Sequence, residues 1–186
     1  MNIIIDTGGL NGQDAYSLIN ELNNNNISIS TRRPQTESFL LRKGFDRVFL
    51  VNYRLKGEPL NSYIRGHVEE VTSSEESIYR KLIADPNTLY MYEREESAKQ
   101  KKLTLQEKHY DIRLHFEYAL SVLKKINPYV YFFSENPHKL THRIFAFVAN
   151  GIGIRVIYYQ RGLLPWYIFP FEGVSPSVEP IKNLAL

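Results

Sequence analysis

The chain has 186 residues, which suits one domain or one lobe of a larger protein. With 43% hydrophobic and 23% charged residues it has the composition of a globular protein that buries a core. Basic residues outnumber acidic ones by 23 to 20 and are scattered, which argues against nucleic acid as a partner. There is no cysteine, so disulfides and thiolate metal sites are excluded.

The N-terminal stretch MNIIIDTGG predicts a short strand followed by a glycine-containing loop. It has no basic region and no long apolar run, so we do not expect a signal peptide. No apolar stretch approaches the roughly 18 residues that a membrane span needs. Together with the lack of cysteine, these features predict a cytoplasmic protein.

Beyond this loop the apolar periodicity alternates between helix and strand. Thr36 and Thr104 are predicted N-caps, Gly44 and Gly151 predicted helix ends, and residues 52–73 an irregular excursion. The alternation predicts an α/β fold with a doubly wound, mostly parallel, Rossmann-like sheet and helices on both faces, over residues 1–173. Residues 174–186 are expected to be a linker or tail. The predicted strands are 3–5, 27–31, 47–51, 88–92, 129–133 and 154–159, and the predicted helices are 13–22, 36–44, 73–84, 105–125 and 137–150.

A polar segment, Ser134-Glu135-Asn136-Pro137-His138, follows the strand predicted at 129–133. Asparagine before proline is a helix-start signal, so backbone N–H groups are expected to face the carboxyl edge of the sheet. Open α/β sheets bind ligands at that edge, which favours a functional role for Ser134, Glu135, Asn136 and His138. For Thr141 and His142, one turn further on, side chains pointing to water are expected instead. No third ligand accompanies His138 and His142, so no metal site is predicted.

The loop after the first strand, from Asp6 to Gly12, suggests two specific functional motifs, and the sequence matches neither. Its glycines lack the spacing of a dinucleotide fingerprint and no Walker lysine follows. The Asp-Thr-Gly triplet of aspartic proteases belongs to all-β folds, whereas a helix is predicted here. We therefore expect a flexible loop with Gly8 and Gly9 over the sheet edge and Asp6 at its base, where Asp6 contributes to the site or simply caps the loop.

Charged residues follow three other predicted strands, and a parallel sheet would collect them at the same edge. An edge with both arginines and carboxylates suits a polar, partly anionic ligand such as a sugar or sugar phosphate. No G-x-S-x-G elbow for a serine nucleophile is present. The residues concerned are Arg32 with Arg33, Glu93 with Arg94, and Gln160 with Arg161.

The region from Tyr129 to Gly173, with SENPH, GIGIRVIYYQRG and LLPWYIFPFEG, resembles the N-terminal halves of bacterial surface and capsular polysaccharide biosynthesis proteins. The start of the chain is similar in element order to the acceptor-side lobe of GT-B glycosyltransferases. The resemblance implies a lobe that binds a glycan acceptor and needs a second Rossmann lobe for the nucleotide-sugar donor. It implies no cofactor in this domain, no activity of the domain alone, and leaves peripheral membrane association through the acceptor open.

In such an enzyme an inverting transfer needs a general base for the acceptor hydroxyl. The candidates are Glu135, His138 and Asp6, in that order, with Gly8, Gly9, Arg32, Glu93, Ser134, Asn136 and Arg161 as substrate-binding residues. Two other classes stay open from the sequence. One is a non-enzymatic α/β domain that binds a small anion or a partner, and the other is a stand-alone enzyme acting on a sugar phosphate or nucleotide.

Overall fold

In the described residues strands and helices alternate up to the third strand, three helices then precede the fourth strand, and three strands end the order. The computed structural model describes residues 2–8, 10–22, 26–51, 71–97, 104–133, 140–161, 168–172 and 179–180. The elements are β1 Ile3–Asp6, α1 Gly12–Leu22, β2 Ile27–Thr31, α2 Pro34–Arg42, β3 Val48–Leu50, α3 Ser73–Ala84, α4 Pro86–Ser97, α5 Leu105–Ile126, β4 Val130–Phe133, α6 Leu140–Gly151, β5 Arg155–Arg161, β6 Ile168–Glu172 and β7 Glu179–Pro180. The predicted excursion at 52–73 lies outside the described residues up to position 70.

The strands that the structure describes form one sheet in the order β3-β2-β1-β4-β5-β6-β7. The first five strands in this order are parallel, and β6 and β7 continue the sheet antiparallel. The predicted α/β fold with a mostly parallel, doubly wound sheet is therefore confirmed. Strand order reverses between β1 and β4, because β2 and β3 lie on one side of β1 and β4 and β5 on the other.

Helices cover both faces of the sheet, which explains why its strands are apolar on both sides. On one face, Ala15 of α1 and Leu40 of α2 pack with Ile29 and Val48. On the other face, α3, α5 and α6 pack over Ile4 and the aromatic residues of β4. Neighbouring residues in a strand point to opposite faces, so Ile4 and Asp6 of β1 both face α6.

Local sequence signals define most helix ends. Thr72 and Thr104 each accept a hydrogen bond from the backbone N–H three residues on, and each forms a reciprocal capping box with a glutamate. Gly44, with a φ of +82°, ends the turn after α2 as predicted. The prediction for Thr36 was wrong: α2 begins at Pro34, which takes the first helical position, and Thr36 lies within its first turn. Gly151 is the last residue of α6.

The strand predicted at 88–92 is also wrong, because these residues belong to α4. Thr88 and Tyr92 are buried at 0% and 1% exposure, whereas Tyr90 between them is 64% exposed. A strand would put all three side chains on one face, while a helix brings positions four apart together. Asp85 also caps the start of α4, since its Oδ1 accepts a hydrogen bond from the Asn87 N–H.

Two residues of the predicted tail at 174–186 take part in the sheet, because β7 pairs with the end of β6. The remainder of that stretch lies outside the described residues. Among the helices of the described ranges, none combines the length and the apolar character that crossing a bilayer requires.

Candidate functional site

The crevice at the carboxyl ends of β1 and β4 is the natural ligand position of this fold. Strand β1 leads into α1 on one face of the sheet and β4 leads towards α6 on the other. In open α/β sheets the connections diverge at such a point, and a crevice is expected above the sheet edge. The Asp6–Gly12 loop follows β1 and so begins at the point where strand order reverses. The polar segment Ser134–His138, which comes after β4 in the sequence, lies outside the described residues.

The loop after β1 is tied to the chain that follows β2. The Thr7 backbone N–H and the Thr7 hydroxyl both donate to the Ser30 carbonyl, at 2.9 and 3.1 Å. Further along, the Thr36 hydroxyl donates to the Leu10 carbonyl at 2.9 Å. Gly8 has a φ of +55°, a left-handed conformation that glycine adopts readily. This loop is thus held at both ends against β2 and α2.

A buried polar network lies directly below the crevice, on the face covered by α6. The Tyr131 hydroxyl donates to Ser30 Oγ at 2.8 Å, and Ser30 Oγ donates to Asp6 Oδ1 at 3.1 Å. His142 Nε2 lies 3.6 Å from the same carboxylate oxygen. The exposures of Asp6, Ser30, Tyr131 and His142 are 1%, 0%, 0% and 4%. We call these four residues the Asp6 network.

The Asp6 network connects three adjacent strands to the first turn of α6. Burial, and after it the neighbouring Asp6 charge, raises the pKa of Tyr131 well above its usual value, so its hydroxyl stays a donor. The same turn of α6 is held from the other side by an ion pair between Arg143 and Asp85. The network therefore fixes the first turn of α6 against the sheet.

The burial of Asp6 bears on its predicted role. A general base has to reach the proton that it abstracts, directly or through one water molecule. A carboxylate that is 1% exposed and engaged by Ser30 is better placed to orient its surroundings than to contact a ligand. The geometry therefore favours a positioning role for Asp6.

A second buried carboxylate lies at the same edge, in the first turn of α2. Glu37 is 1% exposed and close to Tyr118, whose hydroxyl donates to the Leu50 carbonyl at 2.6 Å. Burial, and after it the Glu37 charge, raises the pKa of Tyr118. Asp6 and Glu37 are thus both withdrawn from solvent.

The remaining predicted site residues do not all lie at the carboxyl edge. Arg32 is half-buried beside the β1 loop, and the backbone of Arg161 ends β5 at the carboxyl edge. Glu93 does not follow a strand, because it lies in α4, and its exposed side chain pairs with Lys108 at 3.0 Å. The predicted residues Gly9, Ser134, Glu135, Asn136 and His138 lie outside the described residues, so their roles stay predictions.

The sequence interpretation missed part of the Asp6 network. His142 was expected to point to water, which was wrong: it is buried beside Asp6. Ser30 and Tyr131 were not singled out as polar partners at all. One feature of the sequence could have indicated this network. Serine occupies every second position of β2, at Ser28 and Ser30, in a strand that is buried on both faces. Hydroxyls at such positions need a hydrogen-bond partner, and Asp6 on the adjacent strand supplies one.

A separate open cavity of about 470 Å³ lies at the opposite, amino edge of the sheet. It is formed where the chain enters β1, β4 and β5, far from the crevice along the strands. Within the described ranges no group of three or more histidine, aspartate or glutamate side chains could hold a metal ion. The cavity is lined by Asn2, Asn127, Pro128, Tyr129, Ile152, Gly153 and Ile154.

Comparison of the chain with protein-family models, with curated proteins and with solved structures gave no match. The resemblance to polysaccharide biosynthesis proteins therefore stays a prediction that depends on the quoted motifs. The fold and the Asp6 network are what the structure adds to it.

Proposed function

We propose that this chain is the acceptor-binding lobe of a glycosyltransferase that builds bacterial surface polysaccharide. The acceptor would lie in the crevice between the carboxyl ends of β1 and β4. The nucleotide-sugar donor would be bound by a second Rossmann-like lobe, so the isolated domain would bind glycans without transferring them. A cytoplasmic location is part of the same proposal.

The reversal of strand order between β1 and β4 is the observation that carries this proposal. In open α/β sheets the ligand site is determined by that reversal, because the two connecting helices pass on opposite faces. Here a loop with a left-handed glycine at Gly8 follows β1, and in the sequence the polar segment Ser134–His138 comes directly after β4. Glycine lets a backbone approach a ligand closely, and hydroxyl, amide and carboxylate groups suit a polyhydroxylated ligand.

Within the proposal, Glu135 and His138 take the general-base role and Asp6 supports them from below. His142 belongs to the first turn of α6, four positions after His138, and is anchored beside Asp6. A fixed first turn of α6 favours a preorganised site. The substrate-binding residues are then Gly8, Gly9, Arg32, Ser134, Asn136 and Arg161.

Ligand-observed NMR on the isolated chain, with a panel of oligosaccharides and nucleotide sugars, tests this function. We expect weak binding of oligosaccharides and none of nucleotide sugars. Replacing Glu135 or His138 with alanine should weaken oligosaccharide binding about tenfold or more, because each change removes a charged or polar hydrogen-bonding group.

Two matched variants serve as controls for these substitutions. Glu21→Ala removes an exposed carboxylate at the far end of α1, and His109→Ala removes an imidazole from α5. Both should bind oligosaccharides like the parent chain. If the Glu135 and His138 variants also bind like the parent chain, the proposed site is wrong.

A further inference from the structure

Two consecutive arginines, Arg32 and Arg33, follow β2 at the carboxyl edge of the sheet. Arg32 is half-buried and Arg33 is exposed. Neither guanidinium forms an ion pair with a carboxylate in the part of the chain that the structure describes. A partly covered arginine at a sheet edge can present its N–H donors to an oxyanion in a restricted set of positions, which makes Arg32 the more informative of the two.

These arginines lie beside the loop that borders the crevice. Hydrogen bonds from Thr7 to the Ser30 carbonyl and from Thr36 to the Leu10 carbonyl hold that loop against the chain on either side of Arg32 and Arg33. The arginines and the crevice are therefore neighbouring parts of one edge.

The acidic residues of this edge do not neutralise the two arginines. Asp6 and Glu37 are both buried at 1% exposure, and Asp6 faces the other side of the sheet, under α6. The exposed carboxylate of Asp14, in the first turn of α1, accepts a hydrogen bond from the Asn11 side chain at 2.8 Å. At the surface of this edge the described residues therefore place two arginines against one exposed carboxylate, Asp14.

We propose that the ligand in the crevice carries an oxyanion, a phosphate or a carboxylate, which Arg32 binds with Arg33 in support. This inference rests on the proposed function and narrows it: the acceptor would be an acidic carbohydrate, phosphorylated or carboxylated. Guanidinium groups bind both kinds of oxyanion through paired, charge-assisted hydrogen bonds. A phosphorylated and a carboxylated carbohydrate share the feature that the arginines would recognise, which is an anionic group attached to a sugar.

The test compares glucose 6-phosphate, glucose and inorganic phosphate as probes by NMR titration of the isotope-labelled full chain. We expect glucose 6-phosphate to bind at least about tenfold more tightly than glucose, the gain from hydrogen bonds to a charged group. Arg32→Gln should abolish this difference. Arg32→Lys, which keeps the charge but loses the paired geometry, should retain part of it.

Arg42→Gln is the matched control, because Arg42 is an exposed arginine at the opposite end of α2. It should keep the full preference for glucose 6-phosphate. Thermal unfolding of every variant verifies that the fold is intact. If inorganic phosphate shifts the Arg32 signals and competes with glucose 6-phosphate, the oxyanion site is supported. Phosphate alone is then sufficient for binding.

The outcomes separate this inference from the proposed function. If glucose and neutral oligosaccharides shift the edge residues as strongly as glucose 6-phosphate does, the oxyanion inference is overturned and glycan binding stands. If phosphate binds at Arg32 but no carbohydrate binds anywhere, the oxyanion site stands and the glycosyltransferase proposal fails. Equal loss of preference in the Arg32 and Arg42 variants would show a general charge effect and overturn the inference.

Discussion

Replacing Phe145 with alanine is expected to lower the free energy of unfolding by about 3–5 kcal/mol, the range for a large aromatic side chain removed from a core. Phe145 is 1% exposed and contacts aromatic rings from three other elements. Its ring stacks on Phe49 at 5.9 Å and meets Tyr118 and Tyr131 edge-on at 5.8 and 6.4 Å. Few of these partners can relax into the space, because each is fixed by its own strand or helix.

Chemical denaturation followed by circular dichroism measures this effect. Tyr110→Ala is the control, since Tyr110 is 67% exposed on α5 and its loss should change stability by less than about 0.5 kcal/mol. Similar midpoints for the two variants would contradict the packing of α6 against the sheet described here.

The second large effect is expected for Asp6→Ala, which should cost about 3 kcal/mol or more. This change leaves the Ser30 hydroxyl without its acceptor and removes the carboxylate beside His142, both in a buried position. A buried polar group that loses its partner costs about 1–3 kcal/mol, and here the Ser30 hydroxyl and the His142 ring both lose the neighbouring carboxylate. Asp6→Asn keeps the volume and one acceptor oxygen, so it should cost less than Asp6→Ala.

Urea denaturation of both Asp6 variants, with Glu21→Ala as an exposed carboxylate control, measures this difference. A third variant, Tyr131→Phe, removes only the hydroxyl that donates to Ser30 and should cost about 1 kcal/mol. A fully stable Asp6→Ala chain would show that the buried network does not hold the strands and α6 together.

Hydrophobic periodicity made most of the order of strands and helices predictable, because each element has to bury its apolar residues in the core. The apolar runs of β2, β3 and β4 and the single apolar stripe of α5 each bury a matching surface. The segment from Thr88 to Tyr92 was harder, because its aromatic residues favour a strand when taken alone. Here α4 packs against α6, and the Tyr92 hydroxyl donates to Asp111 of α5. These tertiary contacts favour a helix and cannot be read from the sequence.

Asp6 and Arg32 lie at the ends of adjacent parallel strands. Because residues at the ends of parallel strands meet at one edge, the sequence predicted them there together with the segment after β4, which lies outside the described residues. The sequence could not show that Asp6 turns inward, since that depends on which face of β1 is covered by α6. His142 was misjudged for the same reason: helix periodicity marks faces, but only packing decides which face meets the sheet.

Mapping of amide chemical shifts on the isotope-labelled chain, during titration with a mixture of acidic oligosaccharides, tests the central claim most directly. The account predicts that the signals of Thr7, Gly8 and Arg32 move together with those of residues 134–139, while Asn127 and Gly153 at the amino-edge cavity stay unchanged. Movement confined to the amino-edge residues, or no movement at the β1 and β4 carboxyl ends at saturating sugar, would contradict it.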